Sequence, residues 1–453
     1  MMAVCNAIML SEVRSGFRID SEFYKEEYIE KDYLLSRINT VPLWRISKIT
    51  DGEHGSVTFV QNGIKYLTAE HIKQGYVDFN GVRFISKEVD QRNARARVNK
   101  GDILVSIKGT LGEIALAEQF LLPANMNRDV AVIKLYSNSP SGAYITPFLR
   151  SDFGAYQLSR EGSGGVQQMI TLERLKCVLI PILDNKLQNE IESLHLNGLS
   201  VRQKSVALYS KAQHLLESEL GLDKLKFKKP MGYTARFSEV EQSRRLDAQH
   251  FQPRFDQIID QLSNYDTERV RDIRLYNRRG VQPVYFDDGP VSVVNSQHIG
   301  QQHIDYESLQ KTSKIAFLNT PDGHIKINDL LIYTTGAYIG RTNVYLSDQL
   351  ALASNHVNIL RLNSGIDAAY MALVLQSVIG QFQTQKHLRG SAQAELYPTD
   401  IDRFIVPLLD SKKQSAIGDL VRSSLEKQQE SKRLLEQAKT RVERLIEEAA
   451  AGR

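Results

Sequence analysis

Cysteine is almost absent. Two residues in 453, Cys5 and Cys177, cannot make a disulfide framework, and no CxxC or Cys/His cluster offers a zinc site. A reducing, cytoplasmic setting fits that usage. Long apolar runs are missing too. The apolar start, Met1 to Leu10, is too short to span a bilayer and lacks the basic flank of a signal peptide. No other window reaches the length of a membrane span, so no membrane is expected as a partner. Charge of one sign is also scarce: 57 Lys plus Arg against 53 Asp plus Glu leave +4. A pI near 8.7 permits nucleic acid as a partner without demonstrating it. Hydrophobic residues at 42% and charged residues at 24% are ordinary globular values, which excludes a disordered or fibrous chain.

Catalytic signatures are missing as well. There is no P-loop, no HExxH helix and no GxSxG elbow, and the ten histidines are scattered. No Pro-Pro dipeptide occurs, so the Asn/Asp-Pro-Pro-aromatic signature of amino-methyltransferases is absent. Gly109-Thr110-Leu111-Gly112 and Gly336-Ala337-Tyr338-Ile339-Gly340 each follow a β-type run. Without GxGxxG or an acidic ribose ligand they read as tight turns after buried strands.

What the chain does contain is itself, twice. A shift of 227 residues lays Ser11-Glu12-Val13 on Ser238-Glu239-Val240 and Arg18-Ile19-Asp20 on Arg245-Leu246-Asp247. It also matches Tyr28 with Phe255, His71-Ile72 with His298-Ile299, and Asp102 to Val105 with Asp329 to Ile332. Gly109 faces Gly336, Asn127 faces Asn355 after one insertion, and a shift of 226 pairs Gln167 with Gln393, Pro181 with Pro407 and Gln188 with Gln414. A period of half the chain marks a tandem duplication of one large unit, not a solenoid of short repeats.

Each half has the same order. A short amphipathic helix comes first, from Asp20 to about Ser36 and from Asp247 to Leu262, with the aspartates as N-caps. Short β-type runs follow: Val57-Phe59, Val82-Ile85 and Ile103-Ile107, then Val291-Val294 and Leu330-Thr334. A short helix (Thr171-Lys176; Thr399-Arg403) and an apolar run ending in Pro181 or Pro407 close each domain. A long helix ends each half. From Asp184 to Leu220 the apolar seam reads Leu187, Ile191, Leu194, Val201, Leu208, Ala212 and Leu215, interrupted by Gly198 and Ser205. From Ser411 to Ala449 it reads Ile417, Val421, Leu435, Ala438, Val442, Leu445 and Ala449, with polar Ser424, Gln428 and Ser431 in the middle. Spacings of three and four predict that the two helices pair as a coiled coil. The expected fold class is α+β: two tandem-duplicated mixed α/β domains separated by two long helices forming an antiparallel coiled coil. The expected boundaries are residues 1–182, 183–222, 223–409 and 410–453.

Basic residues gather in loop-like stretches. Arg92, Arg95, Arg97 and Lys100 precede the Gly101-Asp102 turn; Arg271, Arg274, Arg278 and Arg279 surround Tyr276. Lys108 and Arg341 adjoin the glycine turns, and Arg128 is replaced by His356 in the second copy. Arg160 precedes Gly162-Ser163-Gly164-Gly165, while His387 and Arg389 lie beside Gly390. Two clusters in two copies make these candidate phosphate contacts. Asp102, Asp329, Asn127 and Asn355 read as turn residues, and Arg18/Asp20 and Arg245/Asp247 as a structural pair or cap.

This pattern resembles the specificity subunits of type I restriction-modification systems. The resemblance rests on four features: the repeated Arg-Ile/Leu-Asp with trailing aromatics, and Gly101-Asp102-Ile103-Leu104-Val105-Ser106 running into its glycine turn; then the short helix and strand ending at Pro181 before Gln188, and the order domain, helix, domain, helix. It implies two target-recognition domains, each reading one half of a bipartite, asymmetric sequence in double-stranded DNA, with the helices as a ruler for the spacer. It implies two partner modification (methyltransferase) subunits that carry S-adenosylmethionine, and restriction subunits that supply ATP-dependent translocation and cleavage. The chain itself is then non-catalytic and holds no cofactor or metal. A stand-alone bipartite DNA-binding protein, a specificity subunit of another defence system, or an enzyme with an unfamiliar site are the alternatives.

Overall fold

The structure, a computed structural model, describes residues 21–161, 169–227, 231–390 and 394–452. The matches at Arg18 to Asp20, Gln167 and Gln393, and the Gly162 to Gly165 run, lie outside the described residues. Two compact units emerge, Met1–Arg202 with Gln429–Arg453, and Gln203–Gln428.

In the first unit the main sheet has the order Ser47–Asp51, Val130–Leu135, Ile103–Ser106, Ile114–Leu116, antiparallel throughout. All four residues of Ile103–Ser106 are buried, because both sheet faces are covered. Ile103, Val105, Ala131 and Ile133 pack with Tyr144 and Phe148 of the helix Gly142–Arg150. Leu104, Val130 and Val132 point the other way, against Leu67, Ala124 and Met126 of a second four-stranded sheet. The two-residue period of a strand thus divides one apolar run between two cores.

The second unit repeats this plan: Arg274–Arg279, Val357–Leu362, Leu330–Tyr333, Thr342–Val344. Leu330 and Ile332 join one core, and Leu331 joins the other with Val357 and Ile359. The smaller sheets differ at one strand. The first unit adds Phe59–Val60 beside Arg83–Ile85, whereas the second adds His324–Ile325 beside Ala351–Ala353.

Residues matched by the duplication hold the frame. Tyr144 donates its hydroxyl to Pro181 O at 2.8 Å, and Tyr370 does the same to Pro407 O at 2.9 Å. Gln188 and Gln414 each donate to a carbonyl five residues back, Leu183 O and Leu409 O, both at 2.7 Å. Buried Asp102 accepts from Asn99 N at 2.8 Å, and buried Asp329 from Lys326 N at 2.7 Å. Burial pushes both carboxyls above the usual carboxylate range, against the pull of Lys134 and Arg361. His71 and His298 use Nδ1 to accept a backbone N–H, from Thr68 and Asn295, so both rings serve local turns.

The opening helices differ from expectation. Each is a 3-10 turn followed by an α-helix, Ser21–Tyr24 then Glu26–Ser36, and Ala248–Phe251 then Pro253–Leu262. Pro253 lacks an N–H and can only begin the second piece. Asp247 caps the turn, accepting from His250 N at 3.1 Å while Arg245 holds its carboxylate at 2.7 Å. Asp20 lies outside the described residues.

The long helices run Asn185–Glu219, 35 residues or about 50 Å at 1.5 Å each, and Ser411–Ala450. In the first unit Arg441 pairs with Glu190 at 2.8 Å and Ser431 donates to Gly198 O at 2.7 Å, an antiparallel arrangement. In the second unit Ser205 donates to Ser424 O at 2.7 Å and Ser424 returns a bond to Ser205 O at 2.8 Å. On the C-terminal helix the expected seam residues Ile417, Val421, Leu435, Ala438, Val442 and Leu445 are buried, and Ala449 is exposed. On the first helix the seam is displaced. Ile191, Val201 and Ala212 are buried, but Leu187, Leu194, Leu208 and Leu215 are only half-buried. Full burial falls instead on His195, Gly198, Ser205, Tyr209 and Leu216. Close approach of two backbones selects small residues, so Gly198 and Ser205 are the contact and not its interruption.

Candidate nucleic-acid interface

Strand order decides which loops meet. In the first main sheet Ser47–Asp51 ends, Val130–Leu135 begins, Ile103–Ser106 ends and Ile114–Leu116 begins at one edge of the sheet. Three candidate cations therefore gather there. Arg95 reaches Asp51 at 3.4 Å and Gly52 O at 3.5 Å. Exposed Arg128 sits on the next turn, its backbone N bonded to Glu53 O at 3.0 Å. Lys108 opens the glycine turn, where Gly109 (φ 86°) takes a left-handed conformation that a side chain would strain. Lys108 and Arg128 have no carboxylate partner among the described residues. His54, bonded to Asp51 at 2.8 Å, joins the same edge. Asn127 forms the turn beside it, accepting from Asp129 N at 3.2 Å.

The equivalent edge of the second unit carries Arg278, Arg279, Arg341 and His356. Arg341 lies on the Tyr338 ring, 3.6 Å from its centroid, which flattens the guanidinium against the turn. His356 is exposed, and its carbonyl accepts from Thr334 N at 3.0 Å. Arg279 donates to Leu396 O at 3.0 Å and stands 4.7 Å from the Tyr397 ring. Arg389 reaches this edge through a short ladder, since Glu395 bridges both Arg389 and Thr335.

One ion pair is present in both units with its charges exchanged. Asp51 and Arg95 correspond to Arg278 and Asp322 under the 227-residue shift. The first pair closes at 3.4 Å and the second at 3.2 Å. The frame keeps a pair there, while the projecting cation moves from the loop in one copy to the strand in the other.

Other candidates are committed elsewhere. Arg160 pairs with Asp32 and lies 3.8 Å from the Phe23 ring centroid. Arg274 grips Asp402, with Nη2 2.9 Å from Oδ2, at the opposite end of its strand from Arg278. Arg97 is bound to Asp90 at 2.7 Å. Arg92 is exposed on the helix Lys87–Arg92 and has no carboxylate partner among the described residues. Burial holds the His387 imidazole down at about 4, so it is neutral near pH 7 and supplies no cation. These side chains belong to the fold, except Arg92.

Sequence reading missed a cavity of about 310 Å³ beside the second glycine turn. Five of its seven lining side chains are glutamines, with Tyr209 and Arg341. Gln381 donates to Gly340 O at 3.0 Å, and Gln376 is held by Tyr209 and by Asn343 at 2.9 Å. Gln301 and Gln302 are adjacent in sequence, but nothing local announces the other three. Among the described residues no group of His, Cys, Asp and Glu could hold a metal ion, and no helix is long and apolar enough to cross a membrane. Taken together, each edge offers amides, a histidine and guanidinium groups, which donate to phosphate oxygens and to base edges.

No family model matches the chain. Over 137 residues it is 31% identical to the specificity subunit of the type I restriction enzyme EcoBI of Escherichia coli. That match covers 29% of this chain and 28% of that protein's length. Among solved structures, the S subunit of a type I restriction-modification system from M. genitalium is 14% identical, with a TM-score of 0.44, over 91% of this chain and 96% of that one. The HsdS subunit from Thermoanaerobacter tengcongensis is 15% identical, with a TM-score of 0.30, over 90% and 96%. The chain thus resembles type I specificity subunits in sequence.

Proposed function

We propose that this chain is the DNA-specificity subunit of a type I restriction-modification complex. Each unit presents the loop edge of its main sheet to one half of a bipartite, asymmetric site. The observation that carries this reading is the duplicated frame with a differently charged edge in each copy. A common scaffold holds two readers, and exchanged side chains give them different targets. Arg95, Lys108 and Arg128 serve one half-site; Arg278, Arg279, Arg341 and His356 serve the other, and Arg92 adds a phosphate contact. Methylation chemistry and S-adenosylmethionine belong to two modification subunits, and ATP-driven translocation and cleavage to restriction subunits. This chain contributes no catalytic group and acts in the cytoplasm.

The test is a set of binding measurements on the chain with its modification subunits. Replacing Arg95, Lys108 and Arg128 with alanine together should cost about 1–3 kcal/mol per lost base contact at one half-site. Discrimination at the other half-site should stay as in the parent. Equal loss at both half-sites would overturn the assignment of one unit to one half-site.

A further inference from the structure

The second unit contains a groove of about 1240 Å³ between its linker helix Phe237–Ser243 and the body of the domain. Eight lysine and arginine side chains line it against three carboxylates, Glu239, Asp256 and Asp260. Half of those cations are neutralised locally. Lys386 pairs with Asp256 at 3.0 Å, Arg389 with Asp400 at 2.7 Å, Arg245 with Asp247 at 2.7 Å and Arg271 with Asp272 at 3.4 Å. Arg236, Arg244, Arg269 and Arg403 are exposed and have no carboxylate partner among the described residues. They come from three separate segments, so the fold and not local sequence assembles them.

Two observations mark the groove as a binding surface. The first is a change of side chains between the copies at the described positions. Positions 260, 269, 271 and 403 correspond to Tyr33, Pro42, Trp44 and Cys177. Tyr33 is 60% exposed and Trp44 52%, so exposed aromatics stand where the second unit has Asp260 and Arg271, and Pro42 and Cys177 stand where it has Arg269 and Arg403. The shared frame does not need these charges. The second is Arg244, which closes the linker helix in the left-handed region at φ 52°. Glycine is the favoured residue there, and an arginine standing at a strained position points to a use for its side chain.

We propose that this groove takes the phosphodiester backbone of the duplex beside the half-site that the second unit reads. The inference rests on the DNA-specificity reading above and adds to it a contact that reads no bases. Guanidinium groups take phosphate oxygens in pairs, and a row of them along a trench matches a row of phosphates. Arg389 and Gly390 line the groove, and Arg389 ladders with Glu395, which bridges Thr335 beside the glycine turn. Arg389 thus links the groove to the ladder at the loop edge, while Arg269 and Arg403 lie toward the Arg274 end of the strand Arg274–Arg279.

The experiment compares the full chain, with its modification subunits, against the quadruple variant R236Q/R244Q/R269Q/R403Q on one duplex carrying the methylated site. Dissociation constants are measured across a salt series. Each lost phosphate contact should lower the slope of log K against log salt by about 0.9, hence by about 3–4 in all. Preference for the site over a scrambled duplex should not change. A second variant, Arg244→Gly, relieves the backbone and should unfold at a higher temperature, yet lose about one unit of slope. An unchanged slope in both variants, with parent binding intact, overturns the groove and leaves the specificity reading standing. Loss of the modification subunits in gel filtration with an unchanged slope would assign the groove to a protein partner and also overturn it. If the parent complex binds no duplex, the specificity reading fails and takes the groove with it.

Discussion

Asp51–Arg95 and Arg278–Asp322 occupy one place in two copies with opposite polarity. Arg95 and Arg278 are both more than half exposed, and such pairs contribute at most about 1 kcal/mol. Arg95→Asp alone should therefore cost up to about 1 kcal/mol in urea unfolding, and Asp51→Arg with Arg95→Asp should recover it, because the second copy already uses that polarity. Failure of the double variant to recover would show that the site tolerates only one orientation. His195 makes a different argument. It is fully buried in the first unit, with both ring nitrogens lacking a hydrogen-bond partner. Burial, helped by nearby Arg150, holds its pKa down at about 3 against 6.5 for the free group. The unfolded chain then binds the proton first. Stability is full above pH 6.5 and falls as pH drops toward 3, by about 1.4 kcal/mol at one unit below 6.5. His195→Leu should flatten that dependence between pH 7.5 and 5.5 in urea unfolding; parallel curves for parent and variant would show that other groups dominate.

The long helices depend on small residues where the chain approaches itself. A Cβ at Gly198 would lie 2.9 Å from Leu435 Cδ2 and 3.3 Å from Leu434 Cβ. Gly198→Ala should be close to neutral, since the Leu435 tip can move and alanine gains about 1 kcal/mol of helix propensity. Gly198→Leu should cost about 1–3 kcal/mol by overpacking, measured by thermal unfolding. The contrast explains what was legible in sequence. On the C-terminal helix the large apolar residues and the contact coincide, so Ile417 through Leu445 could be read directly. On the first helix Leu194 and Leu208 outweigh Gly198 and Ser205 in any hydrophobic pattern, yet backbone proximity favours the small pair. The loop edges were half legible. Arg95, Arg128 and Arg278 stood out as local charge, but only strand order brings them to one edge. It also separates Arg274 from Arg278, four residues apart. Arg236, Arg244, Arg269 and Arg403 carried no local signal, because their neighbourhood exists only after folding.

Across the chain, duplication is the feature on which function turns. One frame, fixed by Tyr144 and Tyr370 and by Gln188 and Gln414, is built twice and given two different loop edges. On the proposed reading, two unlike readers on one polypeptide take a target of two unlike parts, with a gap that neither reader inspects. Base-resolution methylation mapping of DNA from cells carrying this gene with its partner subunits tests that most directly. The expected result is methylation at one asymmetric motif of two short specific segments separated by a fixed unspecified spacer, lost when this gene is deleted. A single continuous motif, a palindrome, or methylation unchanged by the deletion would contradict it.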